Sequence, residues 1–312
     1  MLTIIRAGMS TTLQDAGRAG WRQFGIGPGG ALDKSAMQTA NLLVGNQPDD
    51  AVLEITFGQF CAEFGRDGWI ALTGACCDAD IDGVTVWTGW RTAVKKGQRL
   101  TMKMPRRGMR SYLAVAGGFD VEPVLGSCST DTNARFGGIN GQKLVDGESI
   151  ALLPATRLFT RPLGVRQQLF GNRIRALPGP EYHEFSYESQ QAFWRTAWQL
   201  NQQSNRMGYR LQGRALVRTA TRDMLSHGLL PGVVQVPPAG QPIVLMADAQ
   251  TTGGYPRIAC VIEADLHHLA QIRLGDAVHF VHCTEHDAHR AMQQQRCDLE
   301  KIAWGIADES RS

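Results

Sequence analysis

The chain has 312 residues, with 32 basic and 29 acidic side chains and a formal net charge of +3. That balance is too mild for a nucleic-acid binder, which concentrates a strong basic patch or stripe. No stretch approaches the roughly 20 consecutive apolar residues of a membrane span, and seven scattered cysteines without a Cys-x-x-Cys pair fit a reduced, cytoplasmic protein.

At about 150 residues per domain the length predicts two domains. The N-terminus, MLTIIRAG, has neither a basic start nor the roughly 7–15-residue apolar core of a signal peptide. Residues 11–33, TTLQDAGRAGWRQFGIGPGGALD, read as a long glycine-rich loop leading into a helix. Glycine lets a backbone approach a ligand, and a helix N-terminus attracts anions. Gln14, Asp15 and Arg18 are therefore candidate substrate-binding residues. The alternative is a structural loop tied by Asp15 and Arg18. No G-x-x-x-x-G-K-[ST] occurs, so nothing here reads as a P-loop.

A helix is predicted over 34–44, with Asp33 as N-cap, Leu32 and Met37 as a hydrophobic staple, and Gly45 as the stop. Short apolar runs then recur between glycine turns: LEITFGQFCAEF, WIALTGA, ADIDGVTVWTG, QRLTMKM and RSYLAVAGG. Their alternation and β-branched content predict a mainly β architecture, a sandwich or barrel. Lys103 lies in the alternating run LTMKM, so Met-Lys-Met reads as a strand and not as a biotin-carrier lysine. Residues 152–165, LLPATRLFTRPLGV, carry two prolines. They predict a linker between an N-terminal β-rich half, 1–155, and a C-terminal β-rich half, 166–305.

In the second half a helix is predicted over 187–200 after Ser186, with Phe193/Ala197 and Trp194/Trp198 paired at i,i+4. The segment SNRMGYRL, 204–211, sets Arg206 and Arg210 around a glycine beside Asn205. Guanidinium forks suit carboxylates and phosphates; a surface turn with solvated arginines is the alternative. Ser226 and His227 are adjacent, but no G-x-S-x-G elbow supports a serine hydrolase. DAQTTGGYPR, 248–257, joins two apolar runs and exceeds what a tight hairpin needs. Asp248, Gln250, Thr251 and Thr252 supply polar groups, Gly253 and Gly254 could form an anion-binding nest, and Tyr255 stiffens the exit. His279, His282, His286 and His289 lie near Cys283. Thr284 with Asp287 reads as a capping box that starts a helix after His282, so no metal is expected.

Taken together, TTLQDAGRAGWRQFG, GALDKSAMQTANLLVGN, LGSCSTD, IRALPGPEYHEF, SNRMGYRLQG and SHGLLPGVVQVPPAGQPIVLMADAQTTGGYPRIA resemble the allophanate-hydrolase-subunit-2 family. The resemblance runs over roughly 1–305. The family includes biotin-dependent carboxyltransferase domains, the antagonist of a sporulation kinase inhibitor and a component of bacterial 5-oxoprolinase. It implies a cyclophilin-like barrel fold with few helices. It further implies an ATP-driven enzyme that opens 5-oxo-L-proline to L-glutamate in concert with the B component of 5-oxoprolinase, a direct partner, and the A component. The chain would be inactive alone. Arg206, Arg210, Gln250 and Thr251 would be catalytic. ATP would be held largely by a partner protein, for want of a phosphate-cradling motif. The absence of biotin-carrier, biotin-carboxylase and amidase segments makes biotin an unexpected cofactor. Two alternatives stay open: a component of a biotin-dependent carboxyltransferase, and a non-catalytic regulator that binds a kinase-inhibitor-like partner.

Overall fold

Alternation of apolar and polar residues is what turns most of this sequence into sheet. The computed structural model describes residues 1–157, 159–220 and 224–309. It is mainly β, with 35% strand, 19% helix and four α-helices among the described residues: α1 Lys34–Leu43, α2 Tyr187–Arg195, α3 Leu266–Gln271 and α4 Glu285–Glu309. The chain forms two compact units. Met1–Arg18, Gly29–Leu169 and the chain from Cys297 onward make the first; Ala19–Pro28 and Phe170–Arg296 make the second.

The first unit is built on a ten-stranded sheet. Its spine is two long strands, Gly68–Ile81 and Arg99–Val115, paired antiparallel with register shifts between Gly74 and Ala79. Bulges of this kind bend a strand. The bend lets one end of Arg99–Val115 pair with Phe60–Phe64 and the other with Val52–Thr56. Gly58 makes the turn at φ +61°, where a Cβ would collide with the Lys103 carbonyl. Leu2, Ile4, Phe60, Ala62, Phe64, Leu100 and Met102 fill one core. A second cluster forms where Met37, Ala40 and Leu43 of α1 meet Val52, Ala71 and Tyr112. Asp33 caps α1 as expected, its side chain accepting from the Ala36 N–H at 3.0 Å.

Two expectations for this half change. Ser10–Gln14 is a strand, paired residue by residue with Val52–Thr56, and not part of a loop. Its threonines are β-branched and buried, which favours the ladder. The proline-bearing segment 152–165 lies within the first unit. Leu163–Gly164 adds to the sheet edge beside Trp90–Arg91, and Phe159 packs edge-on against Trp69 and beneath the Arg91 guanidinium at 4.0 Å. These attachments place the division at Leu169/Phe170.

The second unit is a closed seven-stranded barrel. Its order is Arg173–Pro178, Arg257–Val261, Val233–Gln235, Ile243–Leu245, Gly208–Gln212, Trp198–Leu200 and Ala277–His282. Parallel pairing of Arg173–Ala176 with His279–His282 closes it. Inward residues such as Ile174, Trp198, Tyr209, Val234, Val244, Ile258 and Phe280 are buried. Phe193 of α2 stacks on Phe280 at 4.6 Å. α2 stops at Arg195, short of the predicted 200, because Trp198 is drawn into the barrel opposite Val278. Thr196 turns extended, and the Trp198 indole donates back to the Phe193 carbonyl at 3.0 Å.

Among the described residues no helix is long and apolar enough to cross a membrane, and no cluster of three or more His, Cys, Asp or Glu side chains could hold a metal ion. The strand Ala277–His282 ends before Thr284, whose hydroxyl and Asp287 carboxylate cap the start of α4 reciprocally at 2.7–3.2 Å. The histidines are thereby split between strand and helix.

Candidate functional site

The strands on either side of DAQTTGGYPR are not neighbours. Ile243–Leu245 and Arg257–Val261 each pair with Val233–Gln235, which lies between them. The loop must therefore cross a strand, and part of its length is a topological need. On the way Thr252–Gly253 forms a short antiparallel ladder with His227–Gly228, and the Leu229 N–H donates to the Thr251 carbonyl at 2.8 Å. This brings SHGLL and AQTTG, far apart in sequence, onto one structure.

Asp248 anchors the start of the loop. Its carboxylate accepts from Arg206 Nε at 2.8 Å and Nη2 at 2.9 Å. The Asp248 side chain is 1% exposed and that of Arg206 14%. The Asp248 N–H also donates to the Arg206 carbonyl at 2.9 Å. Arg206 is thus engaged by an internal carboxylate. Asn205 closes the adjoining turn, its Oδ1 accepting from the Met207 N–H at 2.9 Å. Arg210 sits in the strand Gly208–Gln212 and is exposed. Gln250 and Thr252 are exposed, Thr251 is buried, and Tyr255 is 46% exposed.

Neither Gly253 nor Gly254 has positive φ, so the expected nest of successive N–H groups, which needs a left-handed residue, is not formed there. Packing explains Gly253 instead. A Cβ would lie 2.8 Å from Leu229 Cδ1 and 3.3 Å from Gln235 Nε2.

Two polar groups around the loop, Gln235 and Glu181, were not singled out from the sequence, and a third, His227, was weighed there only as the neighbour of Ser226. Gln235 is buried, and its amide donates to the Tyr255 carbonyl at 3.2 Å. Glu181 forms a two-point pair with Arg257, at 2.8 and 2.6 Å, and accepts the Arg257 N–H at 3.0 Å. Burial alone would raise the Glu181 carboxyl, but the Arg257 hydrogen bonds and charge win and hold it below its ordinary value. His227 places Nδ1 3.2 Å from the Leu225 carbonyl, and its buried Nε2 has no partner among the described residues. A polar side chain inside the apolar run VVQVP is a usable signal for Gln235; nothing local marks Glu181 as the partner of Arg257.

The remaining candidates belong to the first unit. Gln14 is buried, and its amide donates to the Thr12 hydroxyl and the Thr130 carbonyl, both at 3.1 Å. The Asp15 carboxylate accepts from Gly17 N–H, Ser127 Oγ, Ser129 Oγ and Cys128 N–H at 2.6–2.8 Å. Arg18 is buried, donates to the Ser129 carbonyl at 2.6 Å and lies 4.6 Å over the Phe136 ring. These geometries tie the 127–130 segment in place.

The start of α1 does not fit a phosphate. Asp33 already caps it, while the Leu32 N–H donates to Glu54 and the Asp33 N–H to Tyr112 Oη, both at 2.8 Å. Tyr112 in turn donates to the buried Glu54 at 2.9 Å, and burial pushes its phenol well above the ordinary range. The Leu32, Asp33 and Ala36 N–H groups there are taken, and two carboxylates face the helix end, which would repel an anion.

Residues 24–282 match the family described as carboxyltransferase domain, subdomain A and B. The chain belongs to this carboxyltransferase-domain family. It is 62% identical over 310 residues to the C component of 5-oxoprolinase from Escherichia coli, covering 99% of this chain and 100% of that protein. It is 41% identical to the corresponding C component of 5-oxoprolinase from Haemophilus influenzae, covering 97% of each. The crystal structure of K. lactis urea amidolyase superposes with a TM-score of 0.90 at 26% identity, covering 96% of this chain and 20% of that one. The carboxyltransferase-domain fold is thus used both in a protein of this length and as a fifth of a much longer one.

Proposed function

We propose that this chain is a cytoplasmic component of an ATP-dependent 5-oxoprolinase, opening 5-oxo-L-proline to L-glutamate together with the A and B components. The observation that carries the reading is the 62% identity, end to end, with the C component of E. coli 5-oxoprolinase. A lactam is a poor electrophile. Transfer of a phosphoryl group to its oxygen makes the carbon open to water, after which the C–N bond breaks to leave an acyl phosphate, and a second water releases phosphate and leaves the carboxylate. Ring opening and ATP hydrolysis each consume one water. This chain's part is to hold and orient the lactam. The Gln250 amide and the Thr251 hydroxyl both donate and accept, matching a lactam C=O and N–H, and Tyr255 offers a half-exposed ring beside them. The Asp248–Arg206 pair fixes the loop that carries them. The committed donors at α1 favour a partner protein as the holder of ATP.

The test is ATP-dependent glutamate release from 5-oxo-L-proline by the three purified components together. The double variant Gln250→Ala/Thr251→Ala should cut kcat/KM by about tenfold to a thousandfold, the scale of losing one or two polar substrate contacts. Its stability should change by roughly 1 kcal/mol or less. Loss of stability with unchanged kinetics would remove the loop from the site. A biotin-dependent carboxyltransferase role is the second reading, favoured by the likeness to urea amidolyase. Carboxyl transfer from a biotin carrier, with no glutamate release, would select it.

A further inference from the structure

The half-buried arginines of the second unit are mostly neutralised internally. Arg175 holds Asp265, Arg206 holds Asp248, Arg218 holds Glu184 and Arg257 holds Glu181. Arg22 is different. It too is half buried, its Nε is enclosed, and it has no hydrogen-bond or carboxylate partner among the described residues. A guanidinium in that state lacks the counter-charge that such groups ordinarily find.

Its location is specific. Ala19–Pro28 comes from the N-terminal part of the chain yet belongs to the second unit. There Gly27 lies against the Ala247 and Ala249 carbonyls, where a Cβ would come within 3.1 Å of the Ala249 oxygen. Arg22 opens a short 3-10 turn just before it, closed by Phe24 N–H to Trp21 O at 2.9 Å and Gly25 N–H to Arg22 O at 3.0 Å. The turn carries Phe24, 66% exposed, with its ring 5.9 Å from that of Trp21. An uncommitted cation and an exposed aromatic ring therefore sit on a segment docked, through Gly27, against Ala247–Ala249 at the start of the loop. The one carboxylate in that loop, Asp248, is already taken by Arg206.

We infer that Arg22 is the carboxylate-binding residue of the candidate site. Its two terminal nitrogens would engage the carboxylate of a small cyclic amino-acid derivative end-on, with Phe24 against the ring methylenes. With Nε enclosed, the terminal pair is what a ligand can reach. That edge of the fork matches the two oxygens of a carboxylate. The inference rests on the reading that 5-oxo-L-proline is the substrate.

The test uses the complete three-component assembly. In steady-state assays Arg22→Gln should raise KM for 5-oxo-L-proline about 10- to 100-fold, the loss of a charge-assisted contact, while kcat stays within about threefold. Arg22→Lys should restore only part, because it lacks the fork. Calorimetric titration of the ATP-free assembly with 5-oxo-L-proline, 2-pyrrolidinone and inorganic phosphate gives the second arm. Tighter binding of 5-oxo-L-proline than of 2-pyrrolidinone, abolished by Arg22→Gln, is the expected result. An unchanged KM, a kcat-only loss, or an Arg22-dependent affinity for phosphate in place of the carboxylate would overturn the inference. If the wild-type assembly releases no glutamate, the 5-oxoprolinase reading fails. The titration then still decides Arg22, and no binding, or equal binding to wild type and variant, would sink it.

Discussion

Removing Asp248 should expose how the candidate loop is held. Its carboxylate is 1% exposed and takes two charge-assisted hydrogen bonds, at 2.8 and 2.9 Å, from an arginine that is 14% exposed. Breaking one side of a buried pair costs about 3–5 kcal/mol, because the surviving charge stays desolvated. The slight exposure of Arg206 favours the low end for Asp248→Ala, about 3 kcal/mol. Arg206→Leu strands the more deeply buried carboxylate and should cost about 4 kcal/mol. The double variant leaves no orphan charge, so it should lose only about 2–3 kcal/mol in all, with a coupling of several kcal/mol in the cycle. Urea unfolding of the four proteins measures this. At about 2–4 °C per kcal/mol for units of this size, Asp248→Ala should also lower Tm by roughly 6–12 °C. Single costs that add to the double within about 0.5 kcal/mol would refute the pair as the anchor of the loop.

Asp15→Asn should destabilise by about 2–4 kcal/mol, since an amide cannot accept all four donors now on the carboxylate; KM of the folded fraction should not move, and a KM change without a Tm change would reverse the structural assignment. Gly253→Ala, which brings a Cβ to 2.8 Å from Leu229 Cδ1, should cost about 1–3 kcal/mol by overpacking; a neutral result in thermal unfolding would mean the ladder there yields freely. His268 should make the fold acid-sensitive. Burial first, then His267, lowers it from 6.5 to about 4, and its Nδ1 accepts the Gly171 N–H at 3.1 Å. Between those values the unfolded chain binds a proton that the folded one refuses, so stability falls as pH drops through the window. His268→Asn, which keeps an acceptor, should recover about 1 kcal/mol of the stability lost between about pH 7 and 5, after allowance for partial exposure; a pH slope identical to wild type would exclude His268 as its source.

Local features were legible because local physics sets them. Asp33 before α1 and Thr284 with Asp287 before α4 are caps whose donors and acceptors lie within three residues. The period-two runs became strands, and their glycine spacing told of a mainly β fold, sandwich or barrel. The same reasoning overran α2, since the pull of the barrel on Trp198 comes from Val278, far along the chain. It also turned Thr11–Gln14 into loop, since the pairing partner that makes it part of a strand is Val52–Thr56.

The candidate site divides along the same line. Residue chemistry, read along the chain, was enough to mark DAQTTGGYPR as polar beyond the needs of a tight turn and SNRMGYRL as rich in cations. What those groups touch is a property of the folded barrel. Asp248 meets Arg206 across 42 positions and Glu181 meets Arg257 across 76. The loop is long partly because Val233–Gln235 lies between the strands it joins, and Ala19–Pro28 is packed into the second unit, bringing Arg22 with it. A charge declares its presence in the sequence, but whether it is neutralised depends on which distant carboxylate the topology sets within hydrogen-bonding distance, and that is settled only when the barrel closes.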